Sequence, residues 1–358
     1  MRSTCAWLSG SPAASNVTSP NVSSPSSMSM VSPICPERCT FHAPACNRNP
    51  DAVPAIPASP STIMVPTEGA TMADIVTVGY DGSDAARVAL DWALRYAERA
   101  GLDVDVVYVA DTSWDSPSFT AAERLKSQGE IVLASDSFHA LSKAPHVAVT
   151  SRVLTGHPVD VLTEASKDSA MLVVGTYRKD AYERLTTSAV GVKVVAGASV
   201  PVVVVPQTSP GSRRGVVVGI DGAEPSGRLV EAAAVEAERL GEPLRVVSAW
   251  TLPPMSTPEF TDTTDLYDAL EARAREIVDE AVAAVRITHP SLEVSGGVEL
   301  DAPVTALTRA AKDASLLVLA THGRHGLSRF LLGSVTHDVV LHATSPLLVL
   351  RSAALQAV

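Results

Sequence analysis

The chain has 358 residues, 46% of them apolar and only 4% aromatic, with a mean hydropathy of +0.18, a formal net charge of -11 and a pI near 5.3. That length exceeds one ordinary core and points to two domains plus extra sequence, and the acidic balance argues against binding nucleic acid or anionic membrane through a basic surface. No apolar run approaches the roughly 20 residues that span a bilayer, and CAWLSG near the start is too short and polar for a secretory signal core, so a soluble cytoplasmic protein is expected.

Residues 1–71 are crowded with Ser and Pro (SPAASNVTSPNVSSPSSMSM, DAVPAIPASPST) and have few periodic apolar positions. Such a composition cannot repay the entropy of ordering, so a disordered extension is expected. Met72 stands directly before the first strand, which leaves a start-site artefact as the other reading. All four cysteines, Cys5, Cys35, Cys39 and Cys46, fall in this stretch. With His42, three of them could offer zinc ligands. Their spacing matches no strong zinc signature, and incidental thiols are the plainer reading.

From Met72 onward the chain repeats itself. IVTVGYDGSDAARVALDWALRYAERAG (75–101) matches GVVVGIDGAEPSGRLVEAAAVEAERLG (215–241), and HPVDVLTEASKDSAMLVVGT (157–176) matches APVTALTRAAKDASLLVLAT (302–321). VAGASVPVVVVP likewise answers VLHATSPLLVLR. The expected organisation is a first domain over 72–206, a linker over 207–214 and a second domain over 215–353, each near a normal domain size.

Short valine- and leucine-rich runs alternate with amphipathic helical stretches. In the second copy the pattern predicts a strand at Val216 to Ile220, a helix through Leu229 to Leu240 and a strand at Leu244 to Ala249. Next come a helix from Thr264 to Arg286, a strand near Leu292 to Val298 and a helix from Val304 to Lys312. Leu316 to Leu319 (strand), Ser334 to His342 (helix) and Leu347 to Leu350 (strand) complete it. Apolar strands alternating with helices imply parallel sheets covered on both faces, hence two tandem α/β domains of about five strands each. The last strand of each copy, Val202 to Val205 and Leu347 to Leu350, is apolar, and the two could cover each other by pairing within one chain, an internal pseudo-dimer.

In open α/β sheets, ligands bind outside the carboxyl ends of the strands. Gly219, Ile220, Asp221 and Gly222, the end of the second strand at Val247, and the stretch ATHGRHGLSRFLLGSV (320–335) should meet there. Gly333 and Ser334 open a helix whose unpaired amides and dipole suit a phosphate, while Gly323 and Gly326 would let backbone come close to it. Arg324 and Arg329 are the nearby cations, with Arg324 the better placed. Asp81 and Asp221 could instead cap the helices after them, and His322 and His325 are more simply solvent-facing than catalytic. No Walker motif, G-x-S-x-G elbow or H-E-x2-H helix occurs.

With the repeat and this loop in view, the chain resembles the universal stress protein family in its tandem-domain form. The ATP-binding branch carries G-x2-G-x9-G-[S/T], which falls here on Ala320, Gly323, Gly333 and Ser334, together with an aspartate after the first strand, here Asp221. The resemblance implies adenine nucleotide alpha hydrolase-like, Rossmann-like domains. It implies ATP, with Mg²⁺, as the ligand. Gly219 and Asp221 would lie at the adenosine, and Val247 would present its backbone to adenine. Ala320, Thr321, His322, Gly323, Arg324, His325 and Gly326 would wrap the ribose and inner phosphates, and Gly333, Ser334 and Val335 the outer ones. Ala320 replaces the first glycine, a cost only if a positive φ is required there.

The first copy keeps Gly79, Asp81 and Gly175 but has Arg178 and Ser188-Ala189 where the later glycines belong, so nucleotide is expected mainly in the second domain. The implied role is nucleotide-dependent stress signalling, with at most weak ATPase activity, a possible homodimer and a protein partner that the residues do not identify. A scaffold of the same fold that acts through dimerisation or partner contacts is the other reading.

Overall fold

A computed structural model describes residues 74–113, 121–176, 188–207, 213–223, 226–252, 264–321 and 332–351. The N-terminal stretch with its cysteines and His42, Arg178, most of the linker, and His322, Gly323, Arg324, His325, Gly326 and Arg329 lie outside them.

The first repeat runs β1 (Ile75–Tyr80), α1 (Asp84–Ala100), β2 (Asp103–Asp111), α2 (Ala122–Lys143), β3 (Val149–Gly156), α3 (Pro158–Ala165), β4 (Met171–Thr176), α4 (Ser188–Gly197) and β5 (Val202–Pro206). The second runs β6 (Val216–Ile220), α5 (Ser226–Leu240), β7 (Leu244–Trp250), α6 (Thr264–Thr288), β8 (Val294–Leu300), α7 (Pro303–Ala310), β9 (Leu316–Thr321), α8 (Ser334–His342) and β10 (Leu347–Arg351). Local chemistry sets the ends. Ser83 caps α1 by accepting from the Ala86 amide at 3.1 Å, and Gly101 closes it in the left-handed region at φ 68°. Pro158 and Pro303 stand in the first turns of α3 and α7, where a missing N–H costs nothing.

The strands form one ten-stranded sheet in the order β3-β2-β1-β4-β5-β10-β9-β6-β7-β8. Pairing is parallel within each repeat and antiparallel where β5 meets β10, with Leu348 opposite Val203. The apolar last strands are therefore central, and β3 and β8 form the edges. Because α1, α2, α5 and α6 cover one face and α3, α4, α7 and α8 the other, the strands read as nearly continuous Val and Leu.

Several boundaries differ from the sequence pattern, two of them for a visible local reason. β8 begins at Val294 and not near Leu292, because the Leu292 amide closes a turn onto the His289 carbonyl at 3.0 Å. α7 ends at Ala310, after which Lys312 and Ala314 donate to Arg309 and Ala311 in successive turns.

Candidate functional site

The carboxyl ends of β6, β7 and β9 open onto a cavity of about 450 Å³ in the second repeat. Its floor includes Gly219, Leu307 and Leu319, and its rim Asp221, Ala249 and Ser334. The volume lies within the range of small-molecule pockets, and the place is where this kind of sheet receives ligands.

One wall is the start of α8. Gly333 is its N-cap, with φ -58° and ψ 149° and no side-chain capping bond. The helix ladder begins with the His337 amide donating to the Gly333 carbonyl at 2.9 Å, so the amides of Ser334, Val335 and Thr336 stand ahead of it at the positive end of the helix. The backbone angles of Gly333 are open to any residue. What a glycine contributes at this position is the absence of a side chain beside the cavity. Thr336 is buried and donates from Oγ1 to the Ala320 carbonyl at 3.0 Å, tying the helix start to the end of β9.

Ala320 itself is a strand residue in register with Leu350, and only 5% exposed. No positive φ is involved, so alanine in place of the first glycine costs no strain. Thr321 ends β9 opposite Arg351. Ser83, not Asp81, caps α1, while Asp221 Oδ1 lies 3.4 Å from the Ser226 hydroxyl at the start of α5. Asp221 Oδ1 accepts from the Ala223 amide at 3.0 Å, as Asp81 Oδ1 does from Ser83 at 2.9 Å. Each aspartate shapes a tight turn whose next residue, Gly222 or Gly82, lies at φ 73° or 78°. The Asp-Gly pair is thus one structural device in both repeats, and Asp221 is left exposed at the rim.

Several glycines answer to packing. A Cβ at Gly219 would lie 2.6 Å from Leu307 Cδ2, and at Gly79 3.1 Å from Leu162 Cδ1. At Gly175 it would meet the Ala85 carbonyl oxygen at 2.4 Å. Gly175 therefore admits the first turn of α1. Val247 is the residue expected to present its backbone to adenine. It is fully buried, paired with Gly219 and Gly297 inside the ladder, and does not line the cavity. Ala249, at the end of the strand as the sequence pattern counts it, lines the cavity. Pro303 and Leu307, also in the lining, come from the turn after β8 and α7.

Among the described residues the lining has one carboxylate, Asp221, and two hydroxyls, Ser334 and Thr336. Next to Pro303, Asp301 accepts from Arg309 Nη1 at 2.7 Å, and this bond holds its carboxyl below the usual range. In chemical terms the cavity offers an apolar slot, a rim carboxylate that can accept from hydroxyl or amine donors, and a helix start suited to an anion.

Comparison with known proteins fits this geometry. The model of the universal stress protein family matches residues 72–206 and 212–351. A curated universal stress protein of Mycobacterium tuberculosis is 30% identical over 299 residues, covering 77% of this chain and 94% of its own. Among solved structures, a universal stress protein from Archaeoglobus fulgidus shares the fold with a TM-score of 0.58 at 17% identity, over 78% of this chain and 97% of its own. A second Archaeoglobus fulgidus universal stress protein, solved in complex with dAMP, is 26% identical over 39% of this chain and 98% of its own, with a TM-score of 0.28.

Proposed function

The chain belongs to the universal stress protein family in tandem-domain form, and from that premise we propose that its second repeat holds ATP, with Mg²⁺, as a nucleotide-responsive module of stress signalling. The observation that carries this reading is the cavity between the β-strand ends and α8: a glycine N-cap without side-chain capping, three leading amides and an apolar floor surround one space. Adenosine fits the apolar slot beside Gly219 and Asp221, and the phosphates fit the helix start at Gly333, Ser334 and Val335. The bound group supplies charge and conformational bias. This chain's residues bind and orient it, as in a binding module whose turnover is slow at most.

The domains act as units over 72–206 and 215–353, in the cytoplasm, with the first repeat silent toward nucleotide. Native mass spectrometry of the full chain titrated with ATP and Mg²⁺ tests this. One nucleotide per chain is expected, lost when Gly333→Val is combined with Ser334→Ala in a protein that keeps its circular dichroism. An empty chain at about 1 mM ATP, where a site of roughly -4 kcal/mol is half filled, overturns the reading. A scaffold acting through partner contacts is then favoured, and the β5 to β10 junction supports it, since it joins both repeats through their own strands.

A further inference from the structure

A second cavity, of about 310 Å³, lies far from the strand ends of the second repeat, at the junction of the two repeats. It opens between α1 and the chain entering the second repeat. Its polar lining is Arg95, Arg99, Arg213, Tyr96 and Glu242, with Trp92 among them and Leu240, Pro206 and Pro346 supplying apolar surface. Three guanidiniums face one carboxylate, in a protein whose net charge is -11. Trp92, Arg95 and Arg99 fall at i, i+3 and i+7 of α1 and so share a face.

The parts are differently constrained. Trp92 stacks on the buried ring of Tyr96 with centroids 5.1 Å apart and planes 13° from parallel. Arg213 donates to the carbonyls of Lys312 at 2.8 Å and Thr344 at 2.7 Å, which fixes its guanidinium at the wall. Glu242 Oε1 lies 3.5 Å from Arg99, while its Oε2 accepts from the Gly215 amide. Arg95 is exposed and has no hydrogen bond or ion pair among the described residues.

The repeat provides an internal control. In the match of 75–101 to 215–241, Trp92 corresponds to Ala232 and Arg95 to Val235. The pseudo-symmetric place therefore lacks both the indole and the free guanidinium. Packing two similar repeats needs neither, because the other side of the junction does without them.

We propose that this junction cavity binds a small aromatic oxyanion, its flat ring against Trp92 and its anionic group on Arg95 and Arg99. A guanidinium held beside an aromatic wall recognises a planar apolar body with one terminal carboxylate or phosphate-type group. The cavity volume, at the low end for ligand sites, restricts the ligand to one or two fused rings. The site shares no lining residue with the nucleotide cavity.

The test is calorimetric titration of the full chain with 2-naphthoate, and with 2-naphthalenemethanol as the neutral isostere. One 2-naphthoate per chain is expected, with the alcohol binding at least about tenfold more weakly, the factor carried by a charge-assisted hydrogen bond. Arg95→Gln, on an exposed side chain, should weaken 2-naphthoate by a similar factor while leaving the circular dichroism unchanged. Trp92→Leu should weaken both probes. The combined Gly333→Val and Ser334→Ala variant should bind 2-naphthoate normally, which separates this site from the nucleotide reading. No heat at millimolar 2-naphthoate, equal binding of the alcohol, unchanged affinity in Arg95→Gln, or loss in the Gly333 and Ser334 variant would each overturn the proposal.

Discussion

Replacing Gly175 with alanine places a Cβ 2.4 Å from the Ala85 carbonyl oxygen and 2.9 Å from the Ala86 nitrogen. Both belong to helix backbone, which cannot turn aside as a side chain can. Gly175→Ala should therefore cost about 2 kcal/mol or more, within the upper range of overpacking. Gly79→Ala, which meets the flexible ends of Leu162 at 3.1 and 3.3 Å, should cost about 1 kcal/mol or less. Urea midpoints of the two variants check the order, and a milder effect at Gly175 would contradict the assigned packing role. A titrating residue makes a second prediction at this scale. His289 is buried, with Nε2 2.9 Å from Glu231 and Nδ1 2.9 Å from Glu238. The hydrogen bond to Glu231 is the main cause that raises its pKa; burial opposes it, and the hydrogen bond to Glu238 adds to the rise. A histidine raised in the fold contributes stability fully below the unfolded value of about 6.5, and loses it as pH climbs through the folded value. His289→Gln should thus destabilise most near pH 6 and least near pH 9. The difference should stay below about 1 kcal/mol because both carboxylates are partly in water. Equal losses across that range, read by urea unfolding, would contradict the paired imidazolium.

Helices α1 and α5 meet through a buried polar contact that joins residues 140 apart in sequence. Tyr96 donates to Glu236 at 2.8 Å, and Arg239 donates to both, at 2.7 Å each. Burial pushes the Glu236 carboxyl up against the opposing Arg239 charge, and burial is also the main cause that raises Tyr96. Removing one partner of such a network leaves desolvated polar atoms unmatched. Tyr96→Phe should cost about 1 to 3 kcal/mol, and a double-mutant cycle with Glu236→Gln should show coupling above about 0.5 kcal/mol. Additive losses would mean the contact does not hold the helices together. This pairing was not legible beforehand, since the repeat match sets Tyr96 opposite Glu236 as equivalent positions and says nothing about contact between them. The elements themselves were legible. Runs such as VVVGI and LLVLAT have no polar face to hide, and Ser83, Gly101 and Pro303 mark helix ends by chemistry that acts within a few residues. Sequence periodicity erred at β8, whose start is delayed by a local turn from His289 to Leu292. In the site, the Asp-Gly turn and the start of α8 were readable, but the strand position of Val247 and the packing role of Gly175 depend on neighbours from other elements.

At the scale of the whole molecule the question is whether two repeats behave as one body. Val202, Val203 and Val204 pair antiparallel with Val349, Leu348 and Leu347, all of them almost fully buried. Across the same junction, Arg351 of β10 donates to the Ala198 carbonyl of the first repeat at 2.6 Å. Core residues of α1 and α5 share one apolar cluster, and those of α4 and α8 share the cluster on the opposite face. Separating the repeats would expose two valine- and leucine-rich sheet edges together with both clusters, so partial unfolding of one half leaves the other with a large uncovered apolar edge. A single cooperative transition follows, despite the internal repetition. Leu348→Pro tests it, because proline in a central strand removes a ladder donor and costs about 3 kcal/mol or more. In a cooperative molecule that loss should speed hydrogen exchange in β4 and β5 of the first repeat as well as in β9 of the second. Exchange confined to the second repeat, or two separate urea transitions in the unaltered chain, would show instead that the continuous sheet joins two independently stable domains.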